Sequence, residues 1–285
     1  MNRRKSLKLI SFAGVASLFS STMFASPTTA ITDICLKAWK SLGWFNSTLY
    51  QFRYIAPQEN LPKVFLYGDS ISIAYTEYVR ASLEGKAFVC RIHKNGKSSH
   101  NFIKGMTHFH DAMFEPKLKG GWNFDWDVIH FNVGLHDLKY LNEQNLLDLE
   151  NGTQVSSIDV YKKNLRKIVE YLKKNHPNSK LIFATTTPVP EGAKGRIKGD
   201  QIKYNKAALE VLKHYPEVHI NDLQTFSIDV WKKYGKNHND VHYKPEGARL
   251  QGIEVAKVIA NQLGITTVEC PSAEEIEQKA ISYRK

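Results

Sequence analysis

The chain has 285 residues, 42% apolar and 11% aromatic, enough to fill one large α/β domain or two small ones. That composition excludes a disordered chain. Three cysteines exclude a disulfide-built scaffold, and 17 Gly with 10 Pro in no periodic order exclude a fibrous one. The 39 basic residues exceed the 28 acidic ones by 11, but four basic residues and no acid fall in the first 25, leaving 35 against 28 beyond them. This spread excess favours weak attraction to anionic polymers without choosing among them.

Residues 1–25 read as an export signal. A basic start, Asn2-Arg3-Arg4-Lys5, leads into an apolar stretch from Leu9 to Ala25 interrupted only by Ser, Gly and Thr. Cleavage is expected after Ala25 or Ala30. The run from Asn2 to Lys8 also has the form of a twin-arginine signal, so both export routes stay open, to the periplasm or outside the cell. The stretch is too short and Ser-rich for a membrane anchor, so no stable membrane insertion is expected. No cysteine closes the apolar run, which argues against a lipoprotein. Cys35, Cys90 and Cys270 are an odd set without C-x-x-C spacing, so a zinc cluster or dithiol redox site is not supported.

Residues 26–60 are too aromatic for a linker, with Trp39, Trp44, Phe45, Tyr50, Phe52 and Tyr54, and should pack on the main domain. From residue 63 short apolar runs alternate with longer amphipathic ones. Strands are expected at 63–67, 87–92, 127–133, 180–185 and 218–220. Helices are expected at 74–83, 157–174, 200–214 and 245–263. In the second helix Tyr161, Leu165, Ile168, Val169 and Leu172 make one face of a 3.6-residue period, with Ser156 and Asp159 as a capping pair. The last has Pro245 at its start and Gly264 just past its end. Strands separated by helix-length segments imply βαβ units, a mostly parallel five-stranded sheet covered on both faces, and function at the carboxyl ends of the strands. Regions 100–123 and 142–152 read as long insertions leaving from that edge, and residues 266–285 as a C-terminal tail.

Four polar stations sit after strands or just before helices. Gly68-Asp69-Ser70 can present a hydroxyl beside helix N–H groups, or can be a helix-capping turn. His242, in His238-Asn239-Asp240-Val241-His242, can take and return a serine proton. Asn132-Val133-Gly134-Leu135-His136-Asp137 closes the third strand, and Asn95-Gly96-Lys97-Ser98 follows the second.

On these residues, 62–263 resembles the SGNH/GDSL hydrolases, which are serine esterases. The resemblance implies a three-layer α/β/α flavodoxin-like fold with Ser70 as nucleophile. It implies oxyanion donors at Gly96 and at His136, within Gly134-Leu135-His136-Asp137, and a general base at His242. Two departures stand out. The family has Asn where this chain has His136, and a neutral imidazole donates one hydrogen bond only in the right tautomer. The family's triad Asp falls on Asn239, with Asp240 one place nearer the histidine. Three arrangements therefore stay open: Asp240 orients His242, a backbone or Asn239 carbonyl does, or the site is a Ser-His dyad. Asp69, Asn95, Asn132, Asn239 and Trp122 are assigned to substrate contact, with Trp126, Phe109 and Phe114 as further candidates for stacking on sugar rings.

Exported members of this family include esterases of acetylated carbohydrates. The expectation is therefore an ester hydrolase, most directly a carbohydrate O-acetylesterase, without cofactor or metal. A non-catalytic glycan-binding protein and an esterase of other acyl specificity are the alternatives. His108, His110 and Asp111 are the only metal-like group, and lack the zinc-protease pattern. No dense basic stripe suggests nucleic acid, and Lys162-Lys163 with Arg166-Lys167 read as the wet face of a helix.

Overall fold

In the computed structural model, residues 27–43 and 48–284 are described, so the export signal expected at 1–25 lies outside them. Five short strands carry the architecture: β1 (Lys63–Tyr67), β2 (Phe88–Arg91), β3 (Val128–Phe131), β6 (Lys180–Ala184) and β7 (His219–Asn221). β1 and β6 are apolar after an opening lysine, and β2 and β3 each carry one fully buried polar residue, Arg91 and His130, as fits a sheet covered on both faces. All four pairings are parallel, in the order β2-β1-β3-β6-β7. Counting only these five strands the order is 2-1-3-4-5, which puts the reversal of strand order between β1 and β3. A small antiparallel hairpin, β4 (Tyr140–Leu141) with β5 (Thr153–Gln154), stands apart and carries the 142–152 insertion.

The helices are α1 (Pro27–Ser41), α2 (Ser70–Ser82), α3 (Phe102–Met113), α4 (Ile158–Asn175), α5 (Asp200–Leu212), α6 (Leu223–Tyr234), α7 (Pro245–Leu263) and α8 (Ala273–Tyr283). On one face α2 and α6 pack on α7; on the other α1 packs on α3, α3 on α4 and α4 on α5. The result is a three-layer α/β/α fold.

Several expectations need correction. The helix after β1 starts at Ser70, four residues before the expected start, because the Asp69 carboxylate accepts from the Ile71 N–H at 3.0 Å and caps it. Region 100–123 is largely core. Phe102, Met106, Phe109 and Met113 recur at helical spacing and are buried, though Gly105 and two histidines mask the pattern. The cap of α4 is Ser157, whose Oγ accepts from the Val160 N–H, and Ser156 donates to Asp137 instead. Beyond residue 265 the chain builds α8, opened by a reciprocal Ser272–Glu275 capping box and docked by Ile276 against Tyr78 and Ala248. In the aromatic extension Trp39 and Phe52 are buried, and the Trp39 indole donates to the Phe52 carbonyl at 2.7 Å, while Trp44 and Phe45 lie outside the described residues. Cys35, Cys90 and Cys270 are free thiols, and burial pushes the Cys90 thiol up to about 12.

Candidate active site

Ser70 is the first residue of α2, at the carboxyl end of β1 beside the reversal point. The first N–H groups of a helix have no intrahelical acceptor, so the Ser70 amide is available to a ligand. Its Oγ lies 2.8 Å from Nε2 of His242. On the other side of the ring, Nδ1 is 2.6 Å from Oδ1 of Asp240. A carboxylate at Nδ1 places the ring proton there and leaves Nε2 to accept from the serine hydroxyl.

Asp240 reaches its neighbour because the chain turns between them. Oδ1 also accepts the His242 backbone N–H at 3.0 Å, while buried Val241 points into the core. The turn is held from outside: the Trp231 indole donates to the Asp240 carbonyl at 3.1 Å, and the Lys236 N–H to the His242 carbonyl at 2.8 Å. Burial works against the Asp240 carboxylate, but the two hydrogen bonds from His242 outweigh it and hold its pKa below the usual carboxylate range. Of the three arrangements left open, the geometry shows Asp240 on the imidazole. Asn239 is exposed on the wall of the adjoining cleft.

His136 stands after β3 in a turn that only glycine can begin. Gly134 has φ +148°, and a Cβ there would come within 2.2 Å of Thr186 Oγ1. The Asp137 side chain ties this turn to its neighbours, accepting from the Ser99 hydroxyl at 2.5 Å and from Ser156 at 2.7 Å. Arg196 donates to the Leu135 carbonyl at 3.2 Å. Lys139 Nζ lies 3.2 Å from His136 Nδ1. An ammonium has only donors, so Nδ1 accepts and the ring proton sits on Nε2. Burial, with the Lys139 charge adding to it, pushes His136 down to about 3, so the ring is neutral. Sequence reasoning missed Lys139 and Arg196. The spacing of three from His136 across a turn was the one available signal for Lys139.

The remaining assigned residues separate. The Gly96 N–H donates to the Gly68 carbonyl at 2.9 Å, so it is already engaged and not presented as an oxyanion donor. Glycine is needed there because a Cβ would lie 2.6 Å from the Tyr67 ring. Asp69 is 2% exposed and serves as the helix cap, out of reach of a substrate; burial pushes its carboxyl up. Asn132 bridges strand ends, donating to the Ala184 carbonyl at 2.7 Å. The Asn95 carbonyl oxygen accepts from the Lys97 N–H at 2.9 Å, an Asx turn that holds Lys97 at φ +56°. Trp122 is 3% exposed, packed among Phe88, Phe114, Phe124 and Trp126. Phe88 and Val128 open β2 and β3, so this cluster lies at the amino ends of the strands, opposite Ser70. Phe109, Phe114 and Trp126 are buried in the same cluster, which removes all four aromatics from sugar stacking.

His108 and His110 lie on a helix, where residues two apart diverge. His108 meets His93 and His110 stacks on Phe114. Among the described residues, no group of three His, Cys, Asp or Glu side chains is arranged to hold a metal ion. None of the described helices is long and apolar enough to cross a membrane.

No family model and no curated protein matches the chain. Solved structures do. An acetyl xylan esterase superposes with a TM-score of 0.51 at 17% identity, over 69% of this chain and 99% of its own. An acetylxylan esterase from Geobacillus stearothermophilus gives 0.50 at 15%, over 72% and 94%. A carbohydrate esterase family 2 enzyme with a carbohydrate binding domain, from Corynascus thermopiles, gives 0.51 at 15%, over 74% and 69%. The likeness is one of fold, the three-layer α/β/α arrangement around a parallel sheet. On this scaffold Ser70, His242 and Asp240 form one hydrogen-bonded chain at the strand ends, although the acid stands two residues before the histidine.

Proposed function

We propose that this protein is an exported serine esterase that removes O-acetyl groups from a carbohydrate. The observation that carries the reading is the unbroken chain from Ser70 Oγ through the His242 ring to Asp240. His242 Nε2 takes the hydroxyl proton as Oγ attacks the ester carbonyl, and Asp240 stabilises the imidazolium that forms. The oxyanion is met by the Ser70 N–H and by Nε2–H of His136, the tautomer that Lys139 selects. The C–O bond to the sugar then breaks, and the departing sugar oxygen takes the proton from His242. Water attacks the acyl group on Ser70, gives its proton to His242, and acetate leaves as Oγ recovers a proton.

Three points support a small acyl group on a sugar. Proteins of this fold include esterases of acetylated xylan. The cleft beside His242 is lined mainly by polar and charged side chains, with Leu147, Ala193 and Val241 as apolar exceptions. The aromatics that could form an apolar acyl tunnel are in the core.

The test is acetate release from acetylated polysaccharides and monosaccharides, with 4-nitrophenyl acetate as reference. Wild type is expected to release acetate and Ser70→Ala to release none while keeping its circular dichroism. Equal release by the two proteins refutes the mechanism. Binding of the glycan without hydrolysis of any ester supports the non-catalytic alternative.

A further inference from the structure

The cleft that adjoins His242 is strongly one-sided in charge. Lys194, Arg196 and Lys236 line it against one acid, Asp240, together with Asn237 and Asn239. On the other side of the site, Lys139 bonds His136, and the charges of Arg196 and Lys97 reach both of these groups. Five cations thus line the cleft or act on His136 at its other side. None of the five takes part in an ion pair among the described residues. Lys198, only two residues from Arg196, is paired with Glu191 at 3.0 Å, and Lys162, Lys173, Lys203 and Lys232 are paired elsewhere on the surface.

The nearby acids offset this charge only in part, Asp69 and Asp240 acting on Arg196 and Asp240 on Lys236. Asp240 is committed to His242, and Asp69 is buried beneath the site as a helix cap. The 142–152 insertion is acidic, but Leu147 is its contribution to the cleft, pressed against Gly195, and Glu143, Asp148 and Glu150 do not line it. Gathering unpaired cations in one cleft costs mutual repulsion, which an anion relieves.

We propose that the ester this site cleaves sits on an acidic sugar, whose carboxylate or sulfate is held by Lys194, Arg196 and Lys236 while the acetyl group faces Ser70. The proposal rests on the esterase reading and deepens it. Leu147 provides the apolar contact for the sugar's C–H face or the acetyl methyl, and Asn237 and Asn239 offer hydrogen bonds to its hydroxyls.

The experiment compares kcat/KM on acetylated polyuronate oligomers, on acetylated neutral xylo-oligomers of equal length, and on lysophosphatidylglycerol. Wild type is expected to prefer the acidic oligomer by roughly tenfold or more at low salt, a preference that shrinks between 20 and 500 mM NaCl, roughly the range over which the Debye length falls below 5 Å. In Lys194→Glu/Lys236→Glu the acidic-to-neutral ratio should fall about tenfold, with an unchanged thermal midpoint reporting an intact fold. A ratio near one in wild type, with serine-dependent hydrolysis of 4-nitrophenyl acetate, overturns the anion site and leaves the esterase reading standing. Preference for the lysophospholipid over both oligomers overturns it in favour of a lipid substrate. Equilibrium binding of deacetylated polyuronate and neutral oligomers to Ser70→Ala reads the same site without turnover. Equal affinity there also overturns the proposal, even if the esterase reading fails.

Discussion

A lysine beside a histidine sets what that histidine can donate. Lys139 Nζ at 3.2 Å from Nδ1 makes His136 an Nε2–H donor, which is the form that the proposed oxyanion role needs. Lys139→Met is expected to lower kcat by several-fold to about tenfold. That is less than the ~10²–10³ typical of losing a whole oxyanion donor, because free imidazole still visits the useful tautomer. Lys139→Arg should restore most of the rate. Imidazole ¹⁵N shifts read the tautomer directly, and an unchanged spectrum in Lys139→Met would count against this role. For the acid partner, Asp240→Asn should lower kcat by up to about 10⁴ with little change in KM, since the wrong ring tautomer then faces Ser70. A loss under tenfold in steady-state kinetics would mean that the site works as a Ser-His dyad.

At the scale of elements, the strands were legible to within two residues and several helices were not. Apolar runs announce buried parallel strands. By contrast α6 buries Leu223, Ser227 and Val230, and its polar middle member is satisfied by Gln251, whose Nε2 donates to Ser227 at 2.8 Å. An apolar period broken by a hydrogen-bonded pair does not show in sequence. The final helix α8 was hidden for another reason, since Ile276 is its only buried side chain. Its position still has consequences, because it covers Tyr78 on the helix that carries Ser70. Ile276→Ala is expected to destabilise by about 2 kcal/mol, the low end for burying one fewer branched side chain. Differential scanning calorimetry should show a midpoint lower by roughly 4–8 °C for a domain of this size. No shift would mean that α8 is dispensable to the fold.

For the whole molecule, buried histidines govern the response to acid. Burial pushes His93, His130 and His136 down to about 3 and His176 to about 4. The unfolded chain takes up these protons near 6.5 while the folded chain does not, so stability is lost as pH falls from about 6.5 toward 3. The carboxyls of Asp69 and Asp137, raised by burial, act in the opposite sense above 3.8, where the folded state keeps protons that the unfolded chain releases. Between pH 7 and 5 the unfolded histidines change most, and one buried histidine such as His130 accounts for about 2 kcal/mol. The thermal midpoint should therefore drop between these values, and drop less in His130→Gln. Parallel pH dependence in the two proteins would contradict the assignment.

The order of amino acids alone determined the layered α/β plan and the approximate strands. It also brought Ser70, Gly134, His136, Asp240 and His242 to attention, because period, punctuation and motif spacing are local properties of the chain. Tertiary structure decided what those residues touch. The turn fixed by Trp231 and Lys236 brings Asp240 to the His242 ring despite a spacing of two. Close packing against Tyr67 and Gly68 engages Gly96, and the aromatic cluster at the far end of the strands takes Trp122 from the site. Which cations stand together around His136 and His242 was decided there too. Lys97, Lys139, Lys236 and the pair Lys194 and Arg196 come from four loops, and only their meeting in the fold gives these charges a common target.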